Sequence, residues 1–163
     1  MTLISIIVPF FNSSKTISQS LLSIINQQFK NFECILVDDG SSDNSISEVK
    51  KFVNKDSRFR LIKNPGKGVV SARNYGIKKS IGRFLTFLDS DDIWHPFFLK
   101  ESILIRKKFN RAIPITHCPY YRFNLSSGKL KSNLIRPPEL INHKNILKKN
   151  FIPLLTVFID REI

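Results

Sequence analysis

Leu3-Ile4-Ser5-Ile6-Ile7-Val8-Pro9 is a near-continuous run of apolar and β-branched residues, without the alternation that marks a half-exposed strand. It reads as a strand buried on both faces, which belongs at the centre of a parallel sheet. Downstream, Ser13 or Ser14 can cap a helix whose apolar positions Ile17, Leu21, Ile24 and Ile25 fall on one face. Residues 33–37 repeat the buried-strand pattern and end at Asp38-Asp39-Gly40-Ser41-Ser42-Asp43. There glycine and serine permit a tight loop, and Ser42 or Asp43 can start a helix carrying Ile46, Val49 and Val53. Residues 59–63 form a short third strand. After the turn-rich Asn64-Pro65-Gly66-Lys67-Gly68, residues 69–80 are predicted to be a helix that buries Val70, Ala72 and Ile77, and residues 83–88 a fourth strand. This alternation predicts an open, mostly parallel α/β sheet flanked by helices, with right-handed crossovers.

A helix is predicted over 96–109. Residues 114–125 then read as a longer strand, Ser126-Ser127-Gly128-Lys129 as a hairpin turn and 130–135 as its partner. Pro137-Pro138 breaks the chain, residues 141–149 suit a short helix, and 154–159 a last strand. The 163 residues suffice for one domain with its own core, and 42% hydrophobic with 24% charged composition is ordinary for a globular fold. Cys34 and Cys118 have no metal-ligand spacing and no partner pattern, so both read as buried small hydrophobes in a reducing compartment. Met1-Thr2-Leu3-Ile4 leads straight into a strand, and no apolar run approaches the length of a membrane span. The expectation is a soluble or at most peripheral protein.

Lys and Arg number 26 against 13 Asp and Glu, a net charge of +13 that attracts something anionic. The basic residues are dispersed, as at Lys50-Lys51, Lys78-Lys79, Arg106-Lys107-Lys108 and Lys148-Lys149. They read as solvated helix faces or C-terminal dipole charges, as a membrane-facing surface, or as a nucleic-acid patch.

Residues 84–88 run directly into Asp89-Ser90-Asp91-Asp92, three carboxylates within four residues. Carboxylates this close repel one another unless a cation or hydrogen-bond donors compensate. The cluster is either an acidic turn that caps the next helix or a site for a divalent ion. Topology bears on the choice, because ligands of open α/β sheets bind beyond the carboxyl ends of the strands, where strand order reverses. Pro9-Phe10-Phe11-Asn12, Asp38-Asp39-Gly40-Ser41 and Asp89-Ser90-Asp91-Asp92 all follow strands at that edge. A nucleotide there would meet an aromatic face for its base, a carboxylate for an imide N–H and carboxylates for a metal on its diphosphate. Neither Gly-x-Gly-x-x-Gly nor Gly-x4-Gly-Lys-Ser/Thr follows the first strand, so no glycine-rich loop cradles the phosphates. A metal bridge would do so instead, helped by a cation such as Arg73.

Ser5-Ile6-Ile7-Val8-Pro9-Phe10-Phe11-Asn12, Val37-Asp38-Asp39-Gly40-Ser41-Ser42-Asp43, Ser71-Ala72-Arg73-Asn74-Tyr75-Gly76 and Leu88-Asp89-Ser90-Asp91-Asp92-Ile93-Trp94-His95-Pro96 resemble glycosyltransferase family 2. The resemblance covers about residues 3 to 110, a nucleotide-sugar-binding half (1–110), and extends more loosely over 111–163, the start of an acceptor half. It implies a Rossmann-like fold of the GT-A type, a nucleotide diphosphate sugar donor of the UDP type, Mn²⁺ or Mg²⁺ as cofactor, and inverting transfer to a polysaccharide or lipid-linked acceptor. Localisation would be cytoplasmic, at the cytoplasmic face of the inner membrane where the acceptor is lipid-linked. By the same resemblance Pro9 and Phe11 contact the base, Asp39 reads the pyrimidine with Asp38 beside it, and Asp89-Ser90-Asp91 stands for the family's Asp-x-Asp motif. The metal candidates are Asp89, Asp91 and Asp92. Phe11 stands where tyrosine is more usual, keeping the stacking face and losing a hydroxyl.

An inverting transfer also needs a base for the acceptor hydroxyl. In the family that carboxylate lies downstream of the segment resembling 151–163, so the base is expected beyond Ile163, and the chain is expected to be a truncated form that retains donor binding. Asp160, Glu162 and Glu139 are the late carboxylates present. His95 reads as a capping or a phosphate-contacting residue, and Trp94 as a wedge between the acidic loop and the core. The leading expectation is a transferase; a catalytically incomplete nucleotide-sugar-binding remnant is the second. A basic nucleic-acid-binding domain is the third, and no nucleic-acid partner is expected.

Overall fold

The computed structural model describes residues 3–109, 115–124, 127–138 and 153–162. Its elements are β1 (Ile4–Phe10), α1 (Ile17–Ile25), β2 (Phe32–Asp38), α2 (Ser45–Val53), β3 (Phe59–Lys63), α3 (Val69–Lys79), β4 (Phe84–Phe87), α4 (Phe98–Phe109), β5 (Ile115–Thr116), a 3₁₀ turn (Leu154–Thr156) and β6 (Phe158–Asp160). The six strands form one sheet in the order β3-β2-β1-β4-β6-β5. Strands β1 to β4 pair in parallel, and β6 lies antiparallel to both β4 and β5. The strand order therefore reverses between β1 and β4, which opens a crevice at their carboxyl ends.

Every residue of β1 is buried. Its alternating side chains feed two layers. Ile4, Ile6, Val8 and Phe10 pack with Ile17, Leu21 and Ile24 of α1 and with Leu99 and Ile103 of α4, whereas Ile7 packs with Ile35, Val37 and Ala72 on the face covered by α3. Helix α3 lies close to the sheet because Gly76 has no side chain. A methyl group there would stand 2.6 Å from Ile7 Cγ2 and 3.2 Å from Val37 Cγ2.

The expected burial of Val70 is overturned: it is 67% exposed, while Ala72 is fully buried. Two residues advance about 200° around a helix, so both cannot face the sheet. The helix starts also differ from expectation. Helix α1 is preceded by Thr16 and α2 by Asn44, and neither makes a side-chain capping bond. Ser13, Ser14 and Asp43 are engaged instead in contacts between loops. Of the longer strand expected over 114–125, the described part joins the sheet only at β5. The hairpin beyond it is held by single bridges, Tyr120 to Ile135 and Phe123 to Leu130, with Gly128 at φ 65° in its turn. The last strand expected over 154–159 divides into the 3₁₀ turn and β6, and the helix expected over 141–149 lies outside the described residues.

Candidate functional site

Three loops meet at the carboxyl edge of the sheet. Beyond β1, Phe11 stands 56% exposed, and Asn12 follows in the left-handed region at φ 47°. That conformation is uncommon outside glycine, although asparagine tolerates it better than most residues. It lets the side-chain Oδ1 of Asn12 accept from Ser42 N at 2.8 Å and Asp43 N at 3.3 Å, while Asn12 N donates to Ser41 Oγ at 3.1 Å. Asp43 in turn accepts from Ser14 N and from Ser45 N and Oγ. The loop after β1 is thus stitched onto the loop after β2.

The two neighbouring aspartates after β2 part company. Asp38 is 5% exposed, its Oδ1 accepts from Ser41 N at 2.9 Å, and it holds the turn without lining the cavity. Asp39 accepts from Gly68 N on both oxygens, at 3.0 and 2.9 Å, and from Asn64 Nδ2 on Oδ1 at 2.6 Å. Each carboxylate oxygen has two lone-pair sites, so Oδ2 keeps one for a ligand donor.

Pro9, Phe11, Asp39, Arg73, Asp89, Ser90 and Asp91 line one cavity of about 330 Å³, within the range of small-ligand pockets. Phe10, within the loop named from sequence but given no role there, and Val69, which was not foreseen, complete the lining. Val69 is the first residue of α3 behind Gly68, whose φ of 88° turns the chain, and that glycine was the available signal. Arg73 Nη2 donates to Asp89 Oδ1 at 2.5 Å, and Arg73 Nε is buried with no partner among the described residues. Ser90 Oγ lies 2.7 Å from Ser13 Oγ, which ties the acidic loop to the loop after β1.

Asp92 lies outside the cavity lining. Burial, and then the charges of Asp91 and Asp89, push its carboxyl up to about 6. Within the acidic loop Arg73 offsets the charge of Asp89, whereas Asp92 is raised by its burial and by its two acidic neighbours. Among the described residues no three His, Cys, Asp or Glu side chains converge to hold an ion by themselves. The donor set still fits a hard cation, because Mg²⁺ and similar ions commonly take one or two carboxylates and complete their shell with water and substrate phosphates.

Trp94 is buried, and its Nε1 donates to Leu155 O at 2.8 Å, so it does wedge the acidic loop against the core. His95 is exposed and its Nδ1 accepts from Phe97 N at 3.4 Å, a contact at the start of α4. Asp160 is placed where it cannot serve as the base of this cavity. It pairs with Phe84 at the beginning of β4, the opposite edge of the sheet from Asp89, and its carboxylate is engaged by Arg106 at 3.0 Å. Antiparallel β6 carries it there. Glu162, two residues further on, is exposed, and Glu139 lies outside the described residues. Among the described residues no helix is long and apolar enough to cross a membrane.

Residues 5–159 match the family described as "Glycosyl transferase family 2". Over 160 residues the chain is 38% identical to WfgD of Escherichia coli, a UDP-Glc:alpha-D-GlcNAc-diphosphoundecaprenol beta-1,3-glucosyltransferase, covering 98% of this chain and 60% of that protein. The chain thus spans about three fifths of that curated relative. Among solved structures, S. aureus TarS 1-349 in complex with UDP aligns with a TM-score of 0.61 at 33% identity, over 65% of this chain and 32% of that one. The Pyrobaculum calidifontis mannosyltransferase PcManGT, in complex with GDP-Man and Mn²⁺, aligns with a TM-score of 0.65 at 21% identity, over 71% and 34% of the two chains, and shares the GT-A fold.

Proposed function

This chain belongs to glycosyltransferase family 2, and we propose that it binds the nucleotide diphosphate sugar donor of a sugar transferase in the cavity between β1, β2 and β4. The observation that carries this reading is the convergence of an exposed aromatic, Phe11, an acceptor, Asp39, a cation, Arg73, and the carboxylate of Asp91 on one cavity. Pro9 and Phe11 take the base, Asp39 Oδ2 accepts an imide N–H of a uracil, and Asp38 keeps the supporting turn in place. Arg73 and the Asp89-Ser90-Asp91 loop receive the ribose and diphosphate. Asp91, with Asp89 or Asp92, would hold Mn²⁺ or Mg²⁺, which when bound stabilises the charge of the departing diphosphate.

The acceptor is proposed to be a lipid-linked saccharide of the cell envelope at the cytoplasmic face of the membrane, which a basic surface of net charge +13 suits. WfgD, by its name, acts on such a substrate. Transfer would proceed with inversion, its base supplied by residues other than Asp160. Titration calorimetry with UDP, with and without Mn²⁺, tests the reading: metal-enhanced binding that Asp91→Ala removes is expected, and no binding of UDP by the wild-type chain would overturn it.

A second reading is a chain that binds donor and does not transfer it: Arg106 holds Asp160 at the far edge of the sheet, and no late carboxylate among the described residues lines the cavity. Donor binding with neither transfer nor hydrolysis of a UDP-sugar would select that reading.

A further inference from the structure

Ser13 joins more elements at this edge than any single motif residue foretells. Its N–H donates to Ser45 Oγ at 2.6 Å at the start of α2, and its carbonyl accepts from Thr16 N and Ile17 N at the start of α1. Its hydroxyl lies 3.0 Å from Phe11 O and 2.7 Å from Ser90 Oγ. The left-handed turn at Asn12 is what brings this hydroxyl across to the acidic loop.

Either serine could donate across the 2.7 Å contact, and the Phe11 carbonyl at 3.0 Å favours one of the two arrangements. Phe11 O is a carbonyl and can only accept; when the single Ser13 proton goes to it, the contact between the two serines is made by the proton of Ser90. Ser90 lines the cavity between Asp89 and Asp91. With its proton committed to Ser13, it offers the cavity lone pairs alone.

We infer that Ser13 is a positioning residue for donor binding: by taking the Ser90 proton it makes the Asp89-Ser90-Asp91 side chains a wall of oxygen acceptors, which a diphosphate approaches only with its cation. This rests on the donor-binding reading above. A wall of acceptors repels phosphate oxygens and attracts a hard cation. Were Ser90 released, its hydroxyl could turn and donate directly to a phosphate, and the dependence on the cation would weaken.

The test compares uridine, UDP in chelator and UDP with Mn²⁺ on wild type, Ser13→Ala, Ser90→Ala, the double variant and Ser13→Thr, by calorimetry. Ser13→Ala is expected to lose about three- to tenfold in Mn²⁺-supported UDP affinity, the scale of one hydrogen bond. Uridine affinity should stay as in wild type, and metal-free UDP affinity should not fall and should rise where the released Ser90 hydroxyl donates to a phosphate, so the enhancement by metal shrinks. Ser13→Thr keeps the hydroxyl and should restore the wild-type enhancement, and the double variant should be no weaker than either single one. An unchanged metal enhancement in Ser13→Ala, or a parallel loss of uridine binding, overturns the role of Ser13 while leaving donor binding intact. A wild-type chain that binds neither uridine nor UDP overturns the donor-binding reading itself, and this inference with it.

Discussion

Arg106 Nη2 donates to Asp160 Oδ2 at 3.0 Å, with the two side chains only 5% and 7% exposed. The pair locks α4 onto β6 at the amino-terminal edge of β4. Arg83 Nη2 stands 3.8 Å from the same oxygen, whereas Arg106 Nε and Nη1 are buried with no partner among the described residues. Asp160→Ala would therefore strand a buried guanidinium and is expected to cost about 3 kcal/mol or more in urea unfolding. Arg106→Ala should cost less, because Arg83 remains beside the carboxylate. Equal costs for the two substitutions would contradict this asymmetry.

Gly76 sits mid-helix, where alanine ordinarily stabilises by about 0.5–1 kcal/mol. Here the added methyl group would meet Ile7 Cγ2 at 2.6 Å. Gly76→Ala is expected to destabilise, by about 1–3 kcal/mol, because overpacking outweighs propensity. A raised urea midpoint would show that α3 can move off the sheet at little cost.

Asp43 is held well below the usual carboxylate range, first by the Ser45 hydroxyl and then by the backbone N–H groups of Ser14 and Ser45. The folded state binds this proton more weakly than the unfolded chain does, so the contribution is complete at neutral pH. It fades as pH falls below the ordinary aspartate value of about 4. The difference in urea midpoint between wild type and Asp43→Ala should therefore be largest near neutrality and narrow progressively in acid. A gap independent of pH would assign the effect to lost packing rather than to the carboxylate.

Under the donor-binding reading, chelation and Asp91 act through the same cation. Wild type should bind UDP about tenfold or more weakly in chelator than in Mn²⁺, a difference of about 1.4 kcal/mol or more. Asp91→Asn should bind equally in both. A variant that still responds to chelator would move the ion to the other carboxylates of the loop.

Much of the architecture was legible because it rests on local patterns. Strands buried on both faces appear as unbroken apolar runs, which is why β1 and β2 stood out, and β3 was read at its observed limits, Phe59–Lys63. The three site loops were legible because each directly follows such a strand. Ser13 was legible only as a helix cap, Asn12 only as a member of the loop after β1 and Val69 only as a helix residue, because serine, asparagine and valine are ordinary there until a neighbour is brought to them. Ser13 meets Ser90 across 77 positions of chain.

Residue patterning alone thus told where the first four strands lie, that they run parallel, and that Phe11, Asp39 and Asp91 share an edge. The fold settled what no local pattern encodes: Asp38 turns into the loop while Asp39 lines the cavity, and the hydroxyls of Ser13 and Ser90 meet at 2.7 Å. It also settled that Asp160 returns on an antiparallel strand to the far edge of β4. The reason is physical. Hydrophobic periodicity is a property of neighbours in the chain, whereas register, strand direction and the sharing of protons arise only when distant segments pack.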